Sequence, residues 1–208
     1  MQQADADRFV DHLLDHDFSL VDHDGTGLFE DRTVASGLGA VSMPYTAFGT
    51  GWFDYDNDGL LDLLAFTGAV RILEDQAAAG DLYPLKQPNQ LFHNLGGRFE
   101  EKGAQAGEPF TILEVSRGAA FGDVDNDGDT DVVIANNNGP LRLLLNRAEL
   151  GRHWLGLSMR DTSGRAHSIG TEVEVELPGG RTMRRRVRPA ASYLASNDPR
   201  LLFGLGPA

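Results

Sequence analysis

Apolar residues in this chain come in short runs separated by turn formers, a pattern that predicts strands over most of its length. Leu60–Phe66, Val132–Ala135 and Leu141–Leu145 are such runs, bounded by Gly59, by Gly128 and by the segment Asn136–Pro140. Beyond His153, the segments Trp154–Met159, Thr171–Leu177, Arg181–Val187 and Leu201–Leu205 read the same way, with turns at Ser163-Gly164 and Pro178-Gly179-Gly180. The N-terminus differs. Phe9, Val10, Leu13 and Leu14 fall at helical spacing, so a short amphipathic helix is expected within Asp5–Leu14. Trp52 and Trp154 are expected in the core.

The chain also repeats itself. Gly49-Thr-Gly-Trp-Phe-Asp-Tyr-Asp-Asn-Asp-Gly-Leu-Leu-Asp62 aligns with Gly118-Ala-Ala-Phe-Gly-Asp-Val-Asp-Asn-Asp-Gly-Asp-Thr-Asp131. An apolar strand follows each copy, then a turn, then a second strand ending in Asn94 or Asn146. Gly25–Leu38 and Gly96–Gly107 match more loosely, each reading as a hairpin turn, a strand and a connector. Only the first copy carries extra residues, Glu74–Gln90, between its strands. Such an insertion belongs on the surface.

The aligned loops have the spacing of a cation cage. Asp54, Asp56, Asp58 and Asp62 occupy positions 1, 3, 5 and 9, with Gly59 at position 6; Asp123, Asp125, Asp127, Asp131 and Gly128 do the same. Alternate residues of a tight loop aim their oxygens at one centre, and calcium takes six to eight such hard ligands at about 2.3–2.6 Å. Position 7 would offer a backbone carbonyl, which explains why Leu60 can stand where the other copy has Asp129. Two Ca²⁺ sites are therefore expected. Magnesium demands stricter octahedral geometry, and zinc prefers nitrogen or sulfur, while neither loop contains a histidine. These are not EF-hands, because position 12 is Ala65 or Ile134 and the flanks read as strands. Calcium here is expected to pin a turn rather than to do chemistry.

Charge sharpens this picture. The formal net charge is −13, which disfavours nucleic acid and anionic membranes as partners. The 25 glycines suit a chain of many tight turns. With no cysteine, disulfide scaffolds and thiolate metal sites are excluded. No apolar run is long enough to span a bilayer, and the polar, acidic N-terminus does not read as a signal peptide. Within this acidic chain Arg181, Arg184, Arg185, Arg186 and Arg188 form a basic stripe. Alternation would put Arg184, Arg186 and Arg188 on one strand face, as a solvated face or, more sharply, an anion or docking surface.

The loop with its preceding glycine and following apolar strand resembles the FG-GAP/VCBS repeat, the blade of integrin-type β-propellers. LFHNLGGRFEE and GTGLFEDRTVASGLG are similar to the stretch between that family's calcium loops. HWLGLSMR and the segment IGTEVEVELPGGRTMRRRVRPAASYLASNDPRLLFGLG resemble the ASPIC/UnbV domain. Together the two modules resemble bacterial relatives of the cartilage acidic protein family. The resemblance implies an all-β fold: a partial β-propeller of FG-GAP/VCBS-type blades followed by a small β-rich domain. The expected layout is an N-terminal segment over 1–18, calcium-binding repeats over 19–150 and an ASPIC/UnbV-like domain over 151–208 that stops short of a further strand. It carries over the loop aspartates Asp54, Asp56, Asp58, Asp62, Asp123, Asp125, Asp127, Asp129 and Asp131 as metal ligands, beside the Leu60 carbonyl that the spacing supplies.

Two readings of function follow. The first is a calcium-stabilised module that presents a surface to a protein or glycan ligand or to copies of itself. A chain with two blades and a fragment is expected either to form a homo-oligomer or to be part of a larger propeller, since open blades leave sheet edges unpaired. The second is a calcium-dependent enzyme of the cyclase or lyase type, with Glu74–Gln90 roofing its pocket. No catalytic residue set carries it: His153, Asp161, Arg165 and His167 could be drawn as an acid–base group, but Asp161–Arg165 reads as a turn. By resemblance the setting is extracellular or periplasmic; without a leader in this chain, a cytoplasmic one stays open.

Overall fold

The computed structural model describes residues 8–12, 18–23, 26–147, 151–164, 168–188, 190 and 192–207. Strands dominate, in five antiparallel sheets. The first joins β1 (Arg8–His12), β2 (Phe18–His23) and β3 (Phe29–Asp31) in that order. The expected helix is thus a strand over residues 8–12, and residues 5–7, 13 and 14 lie outside the described residues. The register from Arg8↔Asp22 to His12↔Phe18 gives the backbone a ladder of cross-strand bonds. Four apolar residues at helical spacing are a weak local signal, and a neighbouring strand overrides it.

After the helical turn α1 (Gly39–Ser42), the first repeat copy forms a four-stranded meander: β4 (Ala47–Phe53), β5 (Asp62–Thr67), β6 (Gln90–Asn94) and β7 (Phe99–Glu101). The insertion between β5 and β6 holds α2 (Glu74–Ala78) and folds on itself, with Gln76 bonded to the backbone of Lys86 and Lys86 paired to Asp81. A second helical turn, α3 (Gly103–Ala106), leads to the second copy, β8 (Ser116–Gly122), β9 (Asp131–Asn136) and β10 (Arg142–Leu144). Two antiparallel pairs follow: β11 (His153–Leu157) with β14 (Leu201–Gly206), and β12 (Glu172–Glu176) with β13 (Thr182–Arg186). The blades are open: no closed ring of sheets exists among the described residues.

β5 is buried along its whole length, which is why it reads as a continuous apolar run rather than an alternating one. Leu63 and Ala65 face Leu20, Leu38, Phe92 and Phe99, whereas Leu64 and Phe66 face Phe121, Val132 and Ile134 of the second blade. Glycine lets the blades approach. A Cβ on Gly51 would lie 2.3 Å from the Phe121 ring, and one on Gly49 would lie 2.7 Å from the Arg117 carbonyl. Trp52 packs against the first of these cores as expected. Trp154 does not: it is 41% exposed and lies across Gly128 of the second loop. A third core joins Met183, Val187, Leu201 and Phe203 under the C-terminal strands.

Candidate metal loops

Each acidic loop joins the first two strands of a blade, and the two are built alike. Asp54 accepts the backbone amides of Asp58 at 3.0 Å and Gly59 at 2.8 Å. Asp123 accepts those of Asp127 and Gly128, both at 3.2 Å. At the far end Asp62 accepts the amides of Tyr55 at 3.0 Å and Asn94 at 2.8 Å, and Asp131 accepts Val124 and Asn146 at 2.9 Å each. Asp58 and Asp127 close small turns onto the amides of Leu60 and Asp129. The turn needs two left-handed residues, and both copies supply an asparagine and then a glycine: Asn57 (φ 57°) with Gly59 (87°), Asn126 (61°) with Gly128 (93°).

These networks gather the carboxylates. Oxygens of Asp54, Asp56 and Asp62 lie within 4.8 Å of one another, as do those of Asp123, Asp125 and Asp127. That separation equals about twice a calcium–oxygen bond, so each trio fits one coordination sphere. A third trio is Asp56, Asp58 and His93. The second trio contains Asp127 in place of Asp131, and the Asp129 carboxylate accepts the Asn57 side-chain amide at 2.6 Å, tying one loop to the other.

Burial makes these charges costly. It pushes Asp62 up to about 8, against the pull of two amide bonds, and Asp54 to about 6. Asp129 is also raised to about 6, by burial and then by Asp127, while Asp58 and Asp131 shift upward chiefly through burial. A divalent ion can stand in for the protons that buried, mutually repelling carboxyls otherwise hold. The donor set and its electrostatics fit calcium.

Known families match two parts of the chain. Residues 117–154 match the FG-GAP repeat, and residues 161–208 match the family described as ASPIC and UnbV. The chain thus carries an FG-GAP repeat and an ASPIC/UnbV domain. It is 43% identical over 68 residues to cartilage acidic protein 1 of Mus musculus and to that of Homo sapiens. The shared stretch is 31% of this chain and 10% of each relative, so the chain spans only a small part of their length. The FG-GAP match falls on the second loop; the first bears the same aspartates, asparagine and glycine.

Several residues at the FG-GAP loops come from far away. His93 of β6 points Nε2 to within 3.5 Å of Asp56 Oδ2 and sets its ring edge-on to Tyr55. Arg152 reaches Asp56 at 2.8 Å, both at the carboxylate and at the backbone carbonyl. From the ASPIC/UnbV domain, Arg181 donates to the Asp58 carbonyl at 3.1 Å, and Arg200 to Asn126 Oδ1 at 2.6 Å and to the Asp123 carbonyl. β14 lies against the first loop, where the Gly206 amide donates to the Asn57 carbonyl at 2.9 Å. Only His93 had a sequence signal: it directly precedes the strand-ending asparagine, where the other copy has Leu145.

Only His153 and Asp161 of the acid–base set drawn from the sequence lie among the described residues. Asp161 accepts the amide and hydroxyl of Ser163 in a turn, and Arg165 and His167 lie outside the described residues. Arg184 and Arg186 pair across the strands with Glu174 and Glu172. No helix among the described residues is long and apolar enough to cross a membrane. The FG-GAP repeat implies a β-repeat interaction module, and the enzyme reading is not favoured.

Proposed function

We propose that this chain is a calcium-stabilised interaction module, with one Ca²⁺ in each loop. Asp54, Asp56, Asp58 and Asp62 with the Leu60 carbonyl would hold the first ion; Asp123, Asp125, Asp127 and Asp131 with the Asp129 carbonyl would hold the second. The observation that carries the reading is the duplicated network of carboxylates gathered by backbone amides, several pushed toward neutrality by burial. When bound, calcium neutralises the cluster and fixes the loop between two strands. Its binding free energy then becomes stability of the blade. The blades over 19–150 serve as the rigid part, the unit over 151–208 packs onto their loops, and the partner class is protein. An extracellular or periplasmic setting suits that role.

Thermal unfolding of chelator-stripped protein tests this directly. Calcium at a hundred times Kd adds about 2.7 kcal/mol per site, or roughly 5–10 °C in Tm for a chain of this size. No binding heat in calorimetry, together with an unmoved Tm, would overturn the proposal.

A further inference from the structure

Each blade begins with a strand that pairs on one side only within its sheet. On β8 the other side is covered. The Asp198 amide donates to the Phe121 carbonyl at 2.8 Å, the Phe121 amide donates to Asn197 Oδ1 at 3.1 Å, and the carbonyls of Tyr193 and Leu194 stand over Gly118. On β4 no strand pairs with that side among the described residues. Instead Thr50, Gly51, Trp52 and Phe53 line a cavity of about 670 Å³. Four consecutive residues alternate between sheet faces, so a cavity they all line runs along the strand's edge.

The facing wall is basic. Arg184, Arg185, Arg186 and Arg188 line the same cavity, and the first, third and fourth of these are two residues apart along the chain. Among the described residues Arg184 pairs with Glu174 at 2.5 Å, Arg186 with Glu172 at 3.9 Å, all four groups exposed, and Arg188 has no ion pair. Such exposed pairs are cheap to exchange. Two residues of extended chain span about 6.6 Å, the interval at which alternate side chains of an added strand would meet these guanidiniums. The acidic groups on the cavity wall are Asp54, Asp123, Glu172 and Asp198; bound ions would offset the first two, while Glu172 faces Arg186 and Asp198 is paired with Arg200.

We propose that the open edge of β4 takes an extended acidic peptide of a partner protein as an added strand, with its alternate carboxylates turned to Arg184, Arg186 and Arg188. This mode draws affinity from main-chain hydrogen bonds and selectivity from alternate side chains. On β8 the chain's own segment 197–198 takes the corresponding edge with one main-chain and one side-chain hydrogen bond. The inference deepens the interaction-module reading and rests on loaded calcium loops.

The test uses the full chain in calcium and a fluorescein-labelled hexapeptide alternating glutamate and valine, followed by anisotropy. The acidic peptide is expected to bind at least tenfold more tightly than its lysine–valine counterpart. R186E/R188E should cut that affinity at least tenfold and leave the calcium-induced rise in Tm intact. N-methylation of alternate peptide amides should abolish binding to the unmodified protein, a result that needs no variant to fold. Equal binding of the lysine peptide, no anisotropy change up to millimolar protein, or indifference to N-methylation would overturn the proposal. The last of these would mean anion attraction only. Measuring the calcium-induced rise in Tm on the same samples separates failure here from failure of the calcium reading.

Discussion

The two acidic loops share their aspartates, asparagine and glycine, yet they sit in different surroundings. In the first, Asp54, Asp56 and Asp62 are 8%, 4% and 1% exposed, and Arg152, His93 and Arg181 close around them. In the second, Asp123 and Asp131 are buried, but Asp125 and Asp127 face solvent and have no basic partner among the described residues. The local hydrogen bonds are duplicated almost bond for bond. What differs is whether a basic side chain reaches the carboxylates: Arg152 and His93 meet that of Asp56 in the first loop, whereas in the second Arg200 meets the Asp123 carbonyl and Asn126 Oδ1. Calcium entering the first loop must compete with Arg152 for Asp56, whereas in the second it competes mainly with water. A motif therefore sets where ligand oxygens point, while the tertiary surroundings set how readily an ion is taken. The second loop should be the tighter site.

The largest effects should test the equivalence of the loops. Asp62→Ala removes a buried acceptor of two amides and a proposed metal ligand, at a cost of about 3 kcal/mol. That corresponds to a fall of roughly 6–12 °C in Tm. Asp131→Ala strips the same two bonds from the second loop and should cost a similar amount. A loss below about a third of the Asp62→Ala value would break the equivalence.

Next comes pH. Asp62 and Asp54 are raised by burial to about 8 and about 6, above the 3.8 of a free carboxyl. The folded, calcium-free chain therefore holds these protons more tightly than the unfolded one. That contribution is complete below pH 3.8 and is lost as pH rises through 6 and 8. Without calcium, Tm should fall across this window, and the gain on adding calcium should grow across it. A calcium gain that is flat between about pH 5 and 8.5 would contradict this account.

Arg152→Met separates the loops more finely. Removing the guanidinium leaves Asp56 uncompensated, so the calcium-free chain should lose stability. Affinity at the first loop should rise about tenfold, or roughly 1.4 kcal/mol, with under a twofold change at the second. Calorimetric titration that finds both sites unchanged would remove Arg152 as a competitor. The smallest effect should come from Glu174→Gln, which breaks an exposed cross-strand pair with Arg184 and should change stability by about 0.5 kcal/mol or less. Denaturant unfolding would detect anything larger.

Much of the blade was legible in the sequence because its signals are local. The apolar runs of β5, β9 and β10, the turn glycines and the paired asparagines lie within a few residues of the bonds they form. The N-terminal strand was misread as a helix because the partner that decides it, β2, is a separate segment. Trp154 was misplaced for a similar reason. An aromatic residue in an apolar strand usually faces a core, but here it covers a loop glycine contributed by another sheet.

By itself the sequence determined the two loops: aspartates at alternate positions, with a glycine free to turn left-handed, dictate a carboxylate cage wherever the flanking strands form. Only the tertiary structure decided which charges would surround each cage. His93, Arg200, Arg152 and Arg181 arrive from distant parts of the chain, 96 residues away from Asp56 in the case of Arg152 and 123 from Asp58 in the case of Arg181. No spacing rule spans such separations, because the contacts depend on how whole sheets stack.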